Sequence, residues 1–345
     1  MAAFSTTSLA LVVAIATAIA TALLAPALAA AKAKPVTGTI VVVNQKSDSI
    51  TLVDARTMQA YKHVPVVAAP HEAAVSPDGR TVVVTNYARP GEPQHWLSVI
   101  ALPAGETLRT LDLAPFSKPH DVRWVDSERV VCTAEADSAL LVVHTVTGKI
   151  ERVIHTGNRL SHMLALSHDR RRIYCSNMAA GSVSAFDFAT GEKLADIPTG
   201  KECEGVGVSP DGRWVVAGNR AEDTITLIDA ESLQVVARIE SKGFPYRVQF
   251  TPDGRWALVP HATSGALVLL DVKARRVVRA IPLGKTLVPD PSTAGVFPHP
   301  DGRHAFVTVR NDDSVLLLDL ETGETLGRAA AQSSPDGVAW SPVQR

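Results

Sequence analysis

From Gly38 to Arg345 the apolar residues fall in short runs broken by polar or Pro/Gly-rich segments, and no apolar period of 3.6 residues persists anywhere. The stretch Gly205–Glu240 shows the unit. Gly205-Val-Gly-Val208 is apolar, Pro210-Asp-Gly-Arg213 is a tight turn, and Trp214-Val-Val-Ala217 is a second apolar run. A polar loop leads to Thr224-Ile-Thr-Leu-Ile228, which alternates as a half-buried strand does. Asp229-Ala-Glu-Ser232 turns again into Gln234-Val-Val-Ala-Arg-Ile239. Four strands and three turns predict an antiparallel meander.

The unit recurs. Near-identical turns stand at Ser76-Pro-Asp-Gly-Arg80, Ser209-Pro-Asp-Gly-Arg213, Thr251-Pro-Asp-Gly-Arg255 and His299-Pro-Asp-Gly-Arg303. Weaker copies stand at Val125–Arg129, Ser167–Arg171 and Ser341–Arg345. Aligned on Pro77, Asp126, His168, Pro210, Pro252, Pro300 and Pro342, the intervals are 49, 42, 42, 42, 48 and 42 residues. A fixed period of this length means units that bury their apolar faces only against one another. The expected fold is all-β, a seven-bladed β-propeller of four-stranded antiparallel blades over residues 38–345. The chain enters on a second strand (Thr39–Val43) and leaves on a first strand (Gly337–Trp340), so the C-terminal strand should complete the first blade. Asp54, Asp187, Asp229, Asp271 and Asp319, each just after a third strand, read as turn caps.

These blades resemble the YVTN repeat, most closely at Val83-Val-Thr-Asn86 and partly at Val42–Asn44, Cys175–Asn177 and Ala217–Asn219. The resemblance spans essentially all of 38–345 and implies a secreted or periplasmic propeller. It leaves function open, because such folds host lactonases, haem-binding domains, amine dehydrogenase subunits and plain binding proteins.

Residues 1–31 are expected to be a cleaved signal peptide. Leu9–Leu24 is apolar except for Thr17 and Thr21, and Ala25-Pro-Ala-Leu-Ala29 offers a small-residue cleavage site. No Lys or Arg precedes the apolar run, so an uncleaved anchor is the alternative. The chain carries 34 basic and 35 acidic residues, which argues against nucleic acid or anionic lipid as a charge-driven partner. A monomer is expected, without membrane contact beyond the leader. Cys132 and Cys175 read as core residues and Cys203 as a loop residue, with at least one free thiol. No Cys-x-x-Cys-His occurs, which excludes covalent c-type haem.

One set of equivalent positions departs from scaffold. Six residues before each marker, at the rim of the central channel, stand His71, His120, His162, Glu204, Tyr246, Ala294 and Asp336. His71, His120, His162 and Glu204 form a metal-like donor set, and a divalent metal is the cofactor it would take. A second rim series closes the second strands: Asn44, Asn86, Glu135, Asn177, Asn219, His261 and Val309. The two long intervals place insertions at Arg89–Trp96 and Lys285–Thr293, both on the histidine face, and one-sided insertions mark a binding face. Ligand contacts are therefore expected from Tyr87, Arg89, His95, Arg220, Tyr246, His261, Arg310 and Asp336. Against this, Pro-His before an inner strand is common in YVTN repeats, so His71 and His120 also fit a structural role. His63, His144, His155, His168, His299 and His304 read as solvated, on outer strands or opposite turns.

The first functional expectation is a binding or interaction module, holding a small molecule, a metal or a periplasmic protein partner at the mouth. No Gly-x-Ser-x-Gly, Ser-x-x-Lys or phosphate loop is present. The second is a metal-assisted, lactonase-like hydrolase with Glu204 or Glu135 as fourth ligand or base, and Arg220 or Arg310 steadying an anionic substrate. The third is a redox-partner or haem-associated propeller.

Overall fold

Each Pro-Asp-Gly turn is held by its own side chains. In Ser209–Arg213 the Ser209 hydroxyl donates to Asp211 Oδ1 (2.5 Å) and accepts the Trp214 N–H (2.9 Å), while Gly212 takes φ 72°. The caps after the third strands act likewise: Asp229 Oδ1 accepts the N–H groups of Glu231 (3.2 Å) and Ser232 (2.9 Å). Hairpins so fixed stack into sheets.

The computed structural model describes residues 35–92, 94–283 and 293–345. The expected leader and all but the last residue of the second insertion lie outside the described residues. The described strands form seven four-stranded antiparallel sheets, a seven-bladed β-propeller. Blade 1 combines Thr39–Asn44, Ser49–Asp54 and Gln59–Pro65 with Pro335–Ser341 as its innermost strand. Thr39 pairs with Ser341 and Val42 with Val338, so the C-terminal strand closes the ring. Blades 2 to 7 start with the inner strands Pro70–Val75, Pro119–Trp124, Ser161–Leu166, Cys203–Val208, Gln249–Phe250 and Thr293–Pro298. Val36–Arg345 is one compact unit, and among the described residues no helix is long and apolar enough to cross a membrane.

Alternating strand residues pack between neighbouring blades. Trp256, Leu258 and Leu267 of blade 6, for example, meet Val296, Val307 and Leu316 of blade 7. Cys203 corrects the sequence reading. It begins an inner strand and is fully buried, instead of lying in a loop. Cys132, Cys175 and Cys203 occupy three different inter-blade clusters and are free thiols. Burial pushes Cys132 and Cys203 up to about 12, so both are inert as nucleophiles.

Candidate functional site

The rim positions sit in a repeated bulge. In blade 2, Pro70 opposes Asn86 and Ala73 opposes Val84, so His71 and Glu72 together face the single residue Thr85. The same slip occurs at 119/122, 161/164, 203/206 and 293/296. A bulge turns two consecutive side chains towards one side, where regular alternation would turn only one. Each bulge is pinned by a second-strand hydroxyl. Thr85 Oγ1 accepts the Glu72 N–H (3.0 Å) and donates to the His120 carbonyl of the next blade (2.8 Å). Thr133 links Asp121 N–H (2.9 Å) to His162 O (3.0 Å), and Ser176 links Met163 N–H (3.0 Å) to Glu204 O (2.6 Å). The rim backbone is thus fastened blade to blade. Where no side chain fits, the bulge carries glycine: a Cβ on Gly205 would lie 2.5 Å from the Tyr246 carbonyl.

Three of the rim residues gather into a stack. The His71 and His120 rings are 4.6 Å apart, and His120 and His162 are 3.7 Å apart. His162 is clamped between two carboxylates, Nδ1 at 2.6 Å from Glu135 Oε2 and Nε2 at 2.8 Å from Glu204 Oε1. Burial opposes its charge, but Glu204 and the hydrogen bonds to both carboxylates outweigh that and raise it to about 9. Burial likewise opposes ionisation of Glu204, yet His162, Arg220 and Arg247 bring it down to about 2. His120 is the opposite case. It is 3% exposed, its Nδ1 has no hydrogen-bond partner among the described residues, and burial beside two imidazoles holds it well below the ordinary histidine range. It is a neutral base with a lone pair to offer. Donor atoms of His120, Glu135 and His162 all lie within 4.8 Å of one another.

Of the donor set expected from sequence, His120 and His162 meet here. Glu135 stands beside them, and Glu204 lies behind His162 on its far nitrogen. His71 turns its Nδ1 to Gln45 Nε2 (2.8 Å) and Asp336 Oδ2 (3.2 Å). Tyr87 stacks against His71 (4.7 Å between rings) and donates to Glu135 Oε1 (2.7 Å). Arg220 Nη1 lies 2.8 Å from Glu204 Oε2, and Arg310 Nη1 lies 3.6 Å from Asp336 Oδ1. Tyr246 is buried under the Arg247 guanidinium, 4.2 Å from its ring, and is pushed up to about 12, with burial the largest cause. Ala294, on blade 7, brings no polar group. Arg89 and His95 stand apart: Arg89 pairs with Asp48 (2.7 Å) and His95 with Asp112 (2.6 Å).

Several members of the second rim series are hydrogen-bonded into the blades. Asn44, Asn177 and Asn219 each bind two hydroxyls of their own blade, and His261 bonds Ser241 Oγ and the Val259 carbonyl. Glu135 does not belong to that series. Its blade places Ala134 there, opposite Ala139, and Glu135 lies one residue on, level with Gln45, Tyr87, Arg220 and Arg310.

Sequence reasoning missed Glu72, Asp121 and Arg247, the second residues of the bulges. Arg247, 3% exposed, reaches across the channel to Glu72 (2.7 Å), Glu204 (3.2 Å) and Asp336 (3.4 Å). Burial and neighbouring acids raise Glu72 to about 7 in spite of Arg247. Below His71, His120 and His162 the channel opens into a cavity of about 450 Å³, lined by Ala74, Leu164, Phe250 and Phe297 together with Glu72, Arg123 and Arg247.

By sequence, residues 125–249 match the Cytochrome D1 heme domain family. No curated protein matches the chain. By structure, the propeller is similar to Kuenenia stuttgartiensis hydrazine synthase (TM-score 0.71, 19% identity, covering 82% of this chain and 92% of that one). It is also similar to a functionally unknown protein from Desulfotomaculum acetoxidans (TM-score 0.74, 15% identity, 88% and 99%). A third similar structure is the dihydro-heme d1 dehydrogenase NirN in complex with DHE (TM-score 0.63, 17% identity, 90% and 78%). At these identities the structural likeness establishes the propeller and nothing finer.

Proposed function

We propose that this chain is an exported propeller that binds a metal-containing cofactor of the haem class at its histidine mouth. The observation that carries the reading is His120, a buried neutral imidazole with an unpartnered Nδ1, stacked on a second imidazole whose far nitrogen is oriented by Glu204. A neutral imidazole with a ring nitrogen not taken up by a hydrogen bond is the donor type that a haem iron accepts. Support comes from the family match over 125–249, a segment that contains Glu135, His162, Glu204, Arg220 and Arg247. The apolar N-terminal segment with its small-residue cleavage site, and the YVTN-type blade pattern, favour the periplasm.

His120 or His162 would hold the group through a ring nitrogen. Glu204 fixes the His162 ring through Nε2, and Tyr87 holds Glu135 in place. Arg220, a quarter of its side chain exposed, is held by Glu202 (2.6 Å) and Glu204 (2.8 Å), and an acidic substituent would have to share it with them. Bound there, the group would supply electron-transfer or small-ligand chemistry at iron. The chain's own part is to hold and orient it. Titration of the full-length exported protein with iron protoporphyrin IX tests this. A shifted, saturable Soret band in the wild type, lost in His120→Ala/His162→Ala, is expected. Absence of any shift in the wild type would remove the haem reading.

A second reading uses a bare divalent ion on His120, Glu135 and His162. It is favoured by the convergence of those three donors and by the carboxylate behind His162, a common outer partner of metal-bound histidine. Metal content without tetrapyrrole absorption would select it. The hydrolase version needs a carboxylate base, and both Glu135 and Glu204 already accept from His162.

A further inference from the structure

Blade 7 breaks the turn pattern at the end of the propeller away from the mouth. In blades 2, 4, 5 and 6 the turn opens with a hydroxyl, Ser76, Ser167, Ser209 or Thr251, bonded to the turn aspartate at 2.5–2.7 Å. The same hydroxyl accepts the N–H of the residue five on: Thr81, Arg172, Trp214 or Trp256. Blade 7 has histidine at both positions, His299 and His304, around Asp301. Their Nδ1 atoms lie 2.9 and 2.7 Å from the same oxygen, Asp301 Oδ2. Asp301 Oδ1 keeps the turn duty, accepting the N–H of Arg303 (2.9 Å) and His304 (3.0 Å). The other oxygen is therefore given over to the two imidazoles. The neighbouring cation Arg303 is engaged by Asp319 (2.6 Å).

His304 corrects the expectation of a solvated side chain: it is 5% exposed. His299 stands edge-on to Trp340 of the closing strand, with ring centres 4.9 Å apart. The three donor atoms lie within 4.8 Å of one another. Adjacent ligands on an ion with bonds near ~2.1 Å are separated by about 2.9–3.4 Å, so small side-chain adjustments suffice. Two neutral imidazoles and one carboxylate suit borderline divalent ions, and three protein donors leave a position for water.

We infer that His299, Asp301 and His304 form an exchangeable site for a divalent transition ion such as Zn2+ or Ni2+. The site is independent of the mouth and goes beyond the function proposed above. Through His299 and Trp340 it braces the turn of blade 7 against the strand that closes the ring.

Equilibrium dialysis of the full-length exported protein against Zn2+, with bound metal counted by elemental analysis, tests the site. His299→Ser/His304→Thr restores the residues that blade 2 uses at these positions, Ser76 and Thr81, and so preserves the turn. Asp301→Asn, which keeps a turn acceptor, is the second variant. Each should bind one ion fewer per chain than the wild type. His120→Ala/His162→Ala should leave that difference unchanged, which separates this site from the mouth. Equal counts in the wild type and in both turn variants, or a wild type that retains no ion, would overturn the inference.

Discussion

At the scale of single residues, the mouth is governed by which buried groups carry charge. His162 is held protonated by Glu135 and Glu204, whereas His120, one ring away, is held neutral by burial. A group raised in the folded chain to about 9 stabilises it fully below the unfolded value near 6.5, and that contribution is lost as pH rises through 9. Glu72, raised to about 7, acts in the same direction from pH ~4.5 upward, because the folded chain holds its proton longer. Glu204, lowered to about 2, gives its full support above its unfolded value near 4.5 and loses it as pH falls from there through 2. The cofactor-free chain should therefore be most stable in mild acid and lose up to ~3 kcal/mol between pH 6.5 and 9. Urea unfolding across that range checks it. His162→Gln should flatten the slope, and an unchanged slope would mean that His162 is not the titrating group. Metal or haem iron competes for the same proton, so cofactor affinity should rise over this interval.

At the scale of elements, the bulge at each inner-strand start matters more than the strand itself. The hydroxyls of Thr85, Thr133 and Ser176 each tie one blade's bulge to the next blade's rim carbonyl. Thr133→Val leaves the Asp121 N–H and the His162 carbonyl without this buried partner. A cost of about 1–3 kcal/mol follows, together with weaker cofactor binding because the His162 backbone is released. Denaturant unfolding and the haem titration read the two effects separately. A stable variant with wild-type binding would show that the hydroxyl does not position the site. The same bulges explain what the sequence hid. His71, His120, His162 and Glu204 were legible because the repeat sets them at one offset from each turn. Glu72, Asp121 and Arg247 were not, because strand alternation sends the next residue to the other side, and only the bulge brings both inward. Glu135 falls at the asparagine offset by count only, because the first hairpin of blade 3 is one residue shorter than that of blade 2 (Trp124 pairs with Val130, Val75 with Val82) and its second strand ends on Ala134.

At the scale of the whole molecule, the 42-residue rhythm made the architecture and its closure readable, since turns and apolar runs repeat with little variation. Function was less legible. It depends on side chains from separate blades meeting across the axis, as Arg247 meets Glu72 and Asp336, and such meetings have no signature in local spacing. The ring places a charged, histidine-rich mouth above a channel of mixed polar and apolar lining, and the similarity of residues 125–249 to the Cytochrome D1 heme domain falls on the blades that carry half of that mouth. The central claim is that this mouth holds a metal-containing cofactor of the haem class. The most direct measurement is the visible spectrum and metal content of the purified full-length chain, beside His120→Ala/His162→Ala. The account predicts a Soret band with about one iron per chain in the wild type and neither in the variant. A colourless, metal-free wild type that also fails to take up added haem would contradict it.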